Sequence, residues 1–188
     1  MIVLGVDPGS QRTGFGVVRQ YAAGLELVAS GVIRVQSLSG HPRRIGEIYR
    51  QLDQVISRYR PECLVLETVF LSRNVQSALK IGQVRGAILA LAMNHDLEVC
   101  EFAPREVKAI VTGSGAASKQ QVAFMVSKLL DKPEIEGPFD VTDAIAMALC
   151  RLLRGVGSCS PDHTGHRSKK NSWTDFVNAA SDRIVRQA

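Results

Sequence analysis

Residues 2–35, IVLGVDPGSQRTGFGVVRQYAAGLELVASGVIRV, alternate apolar runs with short polar or glycine-containing turns. Runs of this kind, rich in Val and Ile, read as strands, and turns this short join antiparallel neighbours rather than crossovers, so three consecutive antiparallel strands are expected. The first run ends in Asp7, directly before Pro8 and Gly9. A carboxylate closing a buried strand is costly unless it is paired or holds a cation. The rest of the chain has to supply that partner.

Downstream of the meander, PRRIGEIYRQLDQVISRYRP places Ile45, Ile48, Tyr49, Leu52, Val55, Ile56 and Tyr59 at helical spacing, with Pro42 at its start and Pro61 beyond its end. ECLVLE is a short apolar strand of the type buried on both faces of a sheet, and it closes in Glu67. After the polar stretch LSRN, residues 75–95 have helical character, and Gly82 and Gly86 are spaced to let another element approach closely. LEVCEFA is a further strand, PREVKAIV opens a helix on proline, SKQQVAFMVSKLLD is a helix capped by Ser118, and DVTDAIAMALCRLL is the last core helix. A meander followed by alternating helices and strands predicts an α/β fold, a five-stranded mixed sheet flanked by helices. Residues 1–154 form the predicted domain, 155–171 a flexible basic linker, and 172–188 an amphipathic helical tail carrying Trp173 and Phe176.

Composition narrows the function class. The chain has 188 residues, 45% of them hydrophobic, which suits one domain with an ordinary core. No stretch is long and apolar enough for a membrane span, and the first residues lack the pattern of a signal peptide, so a cytoplasmic location and no membrane partner are expected. Cys63, Cys100, Cys150 and Cys159 are widely spaced, form no C-x-x-C pair and read as reduced thiols. A formal charge of +5 favours polyanionic partners, though only weakly on its own.

Asp7 and Glu67 would be neighbours if the first and fourth strands pair, and Asp140 and Asp143, three residues apart, share one face at a helix start. Four carboxylates converging in one cleft require cations, and hard oxygen donors select magnesium or manganese. Two such ions about 4 Å apart stabilise the attacking and leaving oxygens of phosphodiester hydrolysis. Each residue also has a plainer role: Asp7 as a turn aspartate, Asp140 and Asp143 as complements to a helix dipole. Glu67 has no such local explanation, and the shared placement at the ends of apolar elements favours the metal.

The motifs IVLGVDPGSQRTGFGVV, LVLETVFLSRNVQSALKIGQVRGAI, APREVKAIVTGSGAASKQQVAFMV and DVTDAIAMAL resemble, in order and spacing, the RuvC-type crossover junction endodeoxyribonucleases, which resolve Holliday junctions in recombination and repair on an RNase H-like fold. The resemblance covers residues 1–154. It implies that Asp7, Glu67, Asp140 and Asp143 are the metal-binding and catalytic acidic tetrad, that Mg2+ (or Mn2+) binds as two ions, and that a homodimer nicks two opposed strands to leave 5′-phosphate and 3′-hydroxyl ends. It further implies four-way junction DNA as substrate and the branch-migration proteins RuvA and RuvB as partners. Phe70 matches a family aromatic that stacks on an unpaired base, and Lys108 and Lys119 match basic positions near the DNA. Arg73, Lys80 and Arg85 are phosphate-contact candidates by position. Thr68 departs from the glutamine that many members carry after the tetrad glutamate, which bears on local packing or DNA contact.

Three rivals remain open at this point. The DPGSQRTGFGVV hairpin also resembles the phosphate-binding turn of actin-like and sugar-kinase ATPases, but those need two lobes and this chain has one such hairpin. A junction-binding protein that does not cut would be favoured by a missing carboxylate, and all four are present. Smaller relatives acting on RNA are separated only by assay.

Overall fold

The structure, a computed structural model, describes residues 1–68 and 75–154. Phe70 and Arg73, and the expected linker and tail over 155–188, lie outside the described residues. Three antiparallel strands, β1 (Ile2–Asp7), β2 (Arg12–Tyr21) and β3 (Gly24–Arg34), are followed by α1 (His41–Tyr59), β4 (Cys63–Glu67), α2 (Val75–Asn94), β5 (Glu98–Phe102), α3 (Pro104–Thr112), α4 (Lys119–Leu129) and α5 (Phe139–Arg154). The sheet order is β3-β2-β1-β4-β5, with β1 antiparallel to β2 and parallel to β4. The mixed five-stranded sheet expected of an RNase H-like fold is therefore present.

The period of two along the strands divides the core into two layers. Leu4, Val6, Leu64 and Leu66 face one layer, where Ile48, Leu52 and Ile56 of α1 and Val84, Ile88 and Leu91 of α2 cover them. Val3, Cys63, Val65, Cys100 and Phe102 face the other, beneath α3, α4 and α5. Each fully buried Leu or Ile contributes about 1.5–3 kcal/mol, so both layers are large sources of stability. The α1 periodicity read from the sequence holds, and the helix ends where Arg60 turns left-handed at φ 47 and donates its N–H to the Ile56 carbonyl.

Helix α5 lies directly on β1 and β2 because the strands present glycine there. A Cβ on Gly5 would stand 1.9 Å from the Ala144 carbonyl oxygen, and one on Gly14 would stand 2.0 Å from that of Asp140. No side chain fits in those gaps, so the helix backbone seats on the strand backbone. Its sequence is apolar enough for this: Val141, Thr142 and Ala144 through Leu152 are buried, and only Asp143 between them is partly open. The α2 glycines behave differently. Nothing among the described residues comes within 4 Å of a Cβ placed on Gly82 or Gly86, so their expected close neighbour is absent from the described chain.

Candidate active site

Strand alternation explains why two carboxylates reach the same place. Asp7 continues the side of β1 that carries Val3, and Glu67 the side of β4 that carries Cys63 and Val65, so both belong to the face under α5. The parallel register pairs Val6 with Leu66, which puts Asp7 and Glu67 one step further on neighbouring strands. The turn after Asp7 is held by Thr13, whose buried hydroxyl donates to the Gly9 carbonyl at 3.0 Å. Asp140 occupies the first turn of α5 and Asp143 follows one turn on along the same face, and the glycine gaps bring that end of the helix onto the sheet.

A cavity of about 260 Å3 opens between these elements, lined by Asp7, Glu67 and Asp143 with Lys108, Lys119 and the apolar Val107, Val122 and Met147. Asp140 lies beside it and repels Asp7. A larger hollow of about 590 Å3 between α3 and α4, bordered by Thr112, Phe124 and Met125, has no titratable side chain on its walls and is the weaker candidate for chemistry.

The electrostatics record the crowding. Burial, followed by repulsion from Asp143, Glu67 and Asp140, pushes the Asp7 carboxyl up to about 7, with Lys119 opposing. Burial also raises Glu67, reinforced by Asp143 and opposed by Lys119 and Lys108. Asp143 is turned to Lys119, whose Nζ donates to Oδ2 at 2.6 Å. Asp140 faces Arg12, with 3.6 Å between Nε and Oδ2, while that buried oxygen accepts no hydrogen bond among the described residues. Clustered oxygen donors, one of them orphaned, fit a hard divalent cation.

Lys119 is held at an unusual place. Ser118 and Gln121 close a capping box at the start of α4, with Ser118 N–H donating to the Gln121 side chain at 2.7 Å and Gln121 N–H to Ser118 Oγ at 3.2 Å. The cap makes Lys119 the first residue of α4, where the helix dipole disfavours a cation. Its ion pair with Asp143 offsets that cost and raises the Lys119 ammonium pKa. Arg12 is a functional candidate that the sequence reading did not single out, since it lies near Asp140 only through the β2 to α5 contact. Lys80 is exposed on α2. Arg85 is turned inward, its side chain only 12% exposed and paired with Glu101, which is at odds with phosphate contact. Thr68 is also turned into the fold, its hydroxyl donating to the Phe102 carbonyl at 3.3 Å.

A second group, Cys63, Glu98 and Cys100, has its sulfur and carboxylate atoms within 4.8 Å of one another at the opposite end of β4 and β5, but Cys100 is disulfide-bonded, against the expectation of a reduced thiol, so its sulfur is not a free ligand. Arg151 donates to Glu98 there at 3.0 Å and already supplies positive charge. That corner is separate from the acidic site.

Residues 3–151 match the family model described as crossover junction endodeoxyribonuclease RuvC. A protein of that description from Pelodictyon phaeoclathratiforme is 58% identical over 188 residues, spanning 99% of this chain and 98% of the relative. One from Salinibacter ruber is 40% identical and covers 98% of this chain and 99% of the relative. Among solved structures, Thermus thermophilus RuvC in complex with Holliday junction substrate superposes with a TM-score of 0.77 at 33% identity, covering 82% of this chain and 94% of that one. Identity and coverage at this level, on a fold that gathers Asp7, Glu67, Asp140 and Asp143 at one end of the sheet, mean that the chain belongs to the RuvC family of crossover junction endodeoxyribonucleases.

Proposed function

We infer that the protein is a Holliday junction resolvase, a structure-specific endonuclease that hydrolyses two opposed strands of a four-way DNA junction. The observation that carries this reading is the acidic cavity at the ends of β1 and β4, flanked by lysines and closed by the first turn of α5. Phosphodiester hydrolysis adds water to phosphorus and releases the 3′ oxygen, leaving 5′-phosphate and 3′-hydroxyl ends. Asp7, Glu67, Asp140 and Asp143 would hold the divalent cations, magnesium or manganese and two per site, which supply Lewis-acid charge to the attacking and leaving oxygens. Lys119 and Lys108 offer cationic groups to the scissile phosphate from the cavity wall, and the exposed Arg12 offers another beside Asp140. Phe70 stacks on an unpaired base at the junction, and Arg73 and Lys80 add phosphate contacts.

The support for a homodimer is the outward face of α2. Val84, Ile88 and Leu91 bury the inner face, while Leu79 and Met93 are 60% and 56% exposed on the outer one. Open space over Gly82 and Gly86 between them would admit a second copy closely. A twofold pair of cavities matches the two strands of a twofold-related junction. Gly86→Arg should yield monomers by sedimentation.

Residues 1–154 are the catalytic unit in this reading, in line with a family match that ends at residue 151, and 155–171 and 172–188 are linker and tail. Truncation after Arg154 should leave junction cutting largely intact. RuvA and RuvB are the proposed branch-migration partners, and the cytoplasm the proposed location. No described helix is long and apolar enough to cross a membrane. The deciding experiment compares cleavage of a four-way DNA junction, linear duplex and structured RNA, with and without magnesium. Cutting confined to the junction and dependent on the metal supports the reading, and equal cutting of linear duplex or RNA refutes it.

A further inference from the structure

We propose that Arg85 is a positioning residue for Glu67, acting through the main chain rather than through substrate. This rests on the reading of Glu67 as part of the metal site. Arg85 lies on α2, and its Nη1 donates to the Glu67 carbonyl oxygen at 2.5 Å while Nη2 pairs with the Glu101 carboxylate on β5. The same peptide unit is held at its other end, where Thr68 N–H donates to the Phe102 carbonyl at 2.9 Å. One peptide plane is thus bolted on both sides. That fixes the backbone at Glu67 and with it the direction in which its side chain leaves the strand.

The clamp is needed because Glu67 is laddered on one side only. The last β1–β4 pair is Val6 with Leu66, whereas β4 and β5 stay paired through Glu67 with Phe102, so nothing from β1 orders this residue. Arg85 suits the task, since a planar guanidinium can donate to a carbonyl and a carboxylate at once, which a lysine ammonium cannot do in the same geometry. Glu101, itself 35% exposed, anchors the guanidinium to the neighbouring strand. Arg85 bonds the main-chain carbonyl of Glu67, while Lys119 and Lys108 moderate its carboxylate. Its effect is geometric.

The test uses full-length R85K, R85M and E101Q with E67Q as reference. It reads single-turnover junction cleavage at saturating enzyme across a magnesium series, junction affinity in chelator, and melting temperature with circular dichroism. R85K and R85M should lose about 10- to 100-fold in cleavage, the range for groups that orient a metal ligand, and should need more magnesium for half-maximal rate. Affinity in chelator should stay within about twofold, since no phosphate contact is lost. E101Q keeps an acceptor oxygen and should fall between the parent and R85K, which serves if R85M does not fold. Weakened affinity with an unchanged magnesium midpoint would instead make Arg85 a DNA contact. A loss that only tracks the unfolded fraction, or parental rates in folded variants, would also overturn the proposal. If E67Q cuts normally, the assignment of Glu67 fails with it; if E67Q is inactive and both Arg85 variants are parental, only the present inference fails.

Discussion

Replacing Asp7 by asparagine removes one charge from the crowded cavity while keeping the side chain's size. In the metal-free protein the Asp7 carboxyl is raised from 3.8 to about 7, by burial first and by Asp143, Glu67 and Asp140 after it. Between these two values the folded state keeps a proton that the unfolded chain has released. Stability therefore falls as pH rises through that window and stays at its lower level above it. A displacement of this size corresponds to about 4 kcal/mol at most, and solvent entering the cavity reduces it to roughly 2 kcal/mol. Asparagine carries no such penalty. In chelator, the melting temperature of Asp7→Asn should match that of the parent near pH 4 and exceed it by about 4–8 °C at pH 8. Millimolar magnesium at pH 8 should shrink or reverse that gap, because the parent gains more from binding the ion. Junction affinity in chelator should be equal or tighter, since one charge repelling phosphate is gone. Cleavage in magnesium should fall by at least about 100-fold, more than for groups that merely support a ligand. The assays are thermal melts across pH with chelator or magnesium, gel shifts in chelator, and single-turnover cleavage. A gap that does not vary with pH would refute the electrostatic account of Asp7, and substantial cutting by Asp7→Asn would remove it from the metal site.

Lys119→Ala should change stability by no more than about 1 kcal/mol, because its pair with Asp143 is largely exposed on the lysine side. Its cleavage should drop, and the slope of log affinity against log salt should fall by about one, as measured by gel shift over a salt series. Gly14→Ala should destabilise by about 1–3 kcal/mol in urea melts and abolish cutting, since its Cβ would stand 2.0 Å from the Asp140 carbonyl oxygen and push the first turn of α5 off the sheet. Cys63 and Cys150 should resist iodoacetamide at pH 8 until the protein unfolds, because burial pushes their thiols up to about 11 and about 12, a difference that peptide mapping detects.

Much of the architecture was legible along the chain because it depends on local periodicity. Strand alternation, the i and i+3/i+4 spacing in α1, the Ser118 cap and the proline starts each involve residues within a few positions of one another. The four acidic positions were legible for a similar reason: each closes or opens an apolar element, and a charge there stands out from its neighbours. Other features depend on contacts between distant residues. The sequence reading allowed Gly82 and Gly86 a close neighbour, and the described chain leaves them open, while Gly5 and Gly14 carry the close approach instead. Whether a glycine admits another backbone depends on what lies across from it. Arg85 looked like a phosphate ligand because it falls on the side expected to face DNA, but the β4–β5 register brings Glu101 and the Glu67 carbonyl within its reach. The pairing of Lys119 with Asp143 joins residues 24 positions apart. Which groups could serve the chemistry can be read along the chain. Which of them meet depends on the fold, because electrostatic repulsion, desolvation and hydrogen bonding act over a few ångströms of space, and chain separation does not reveal that distance.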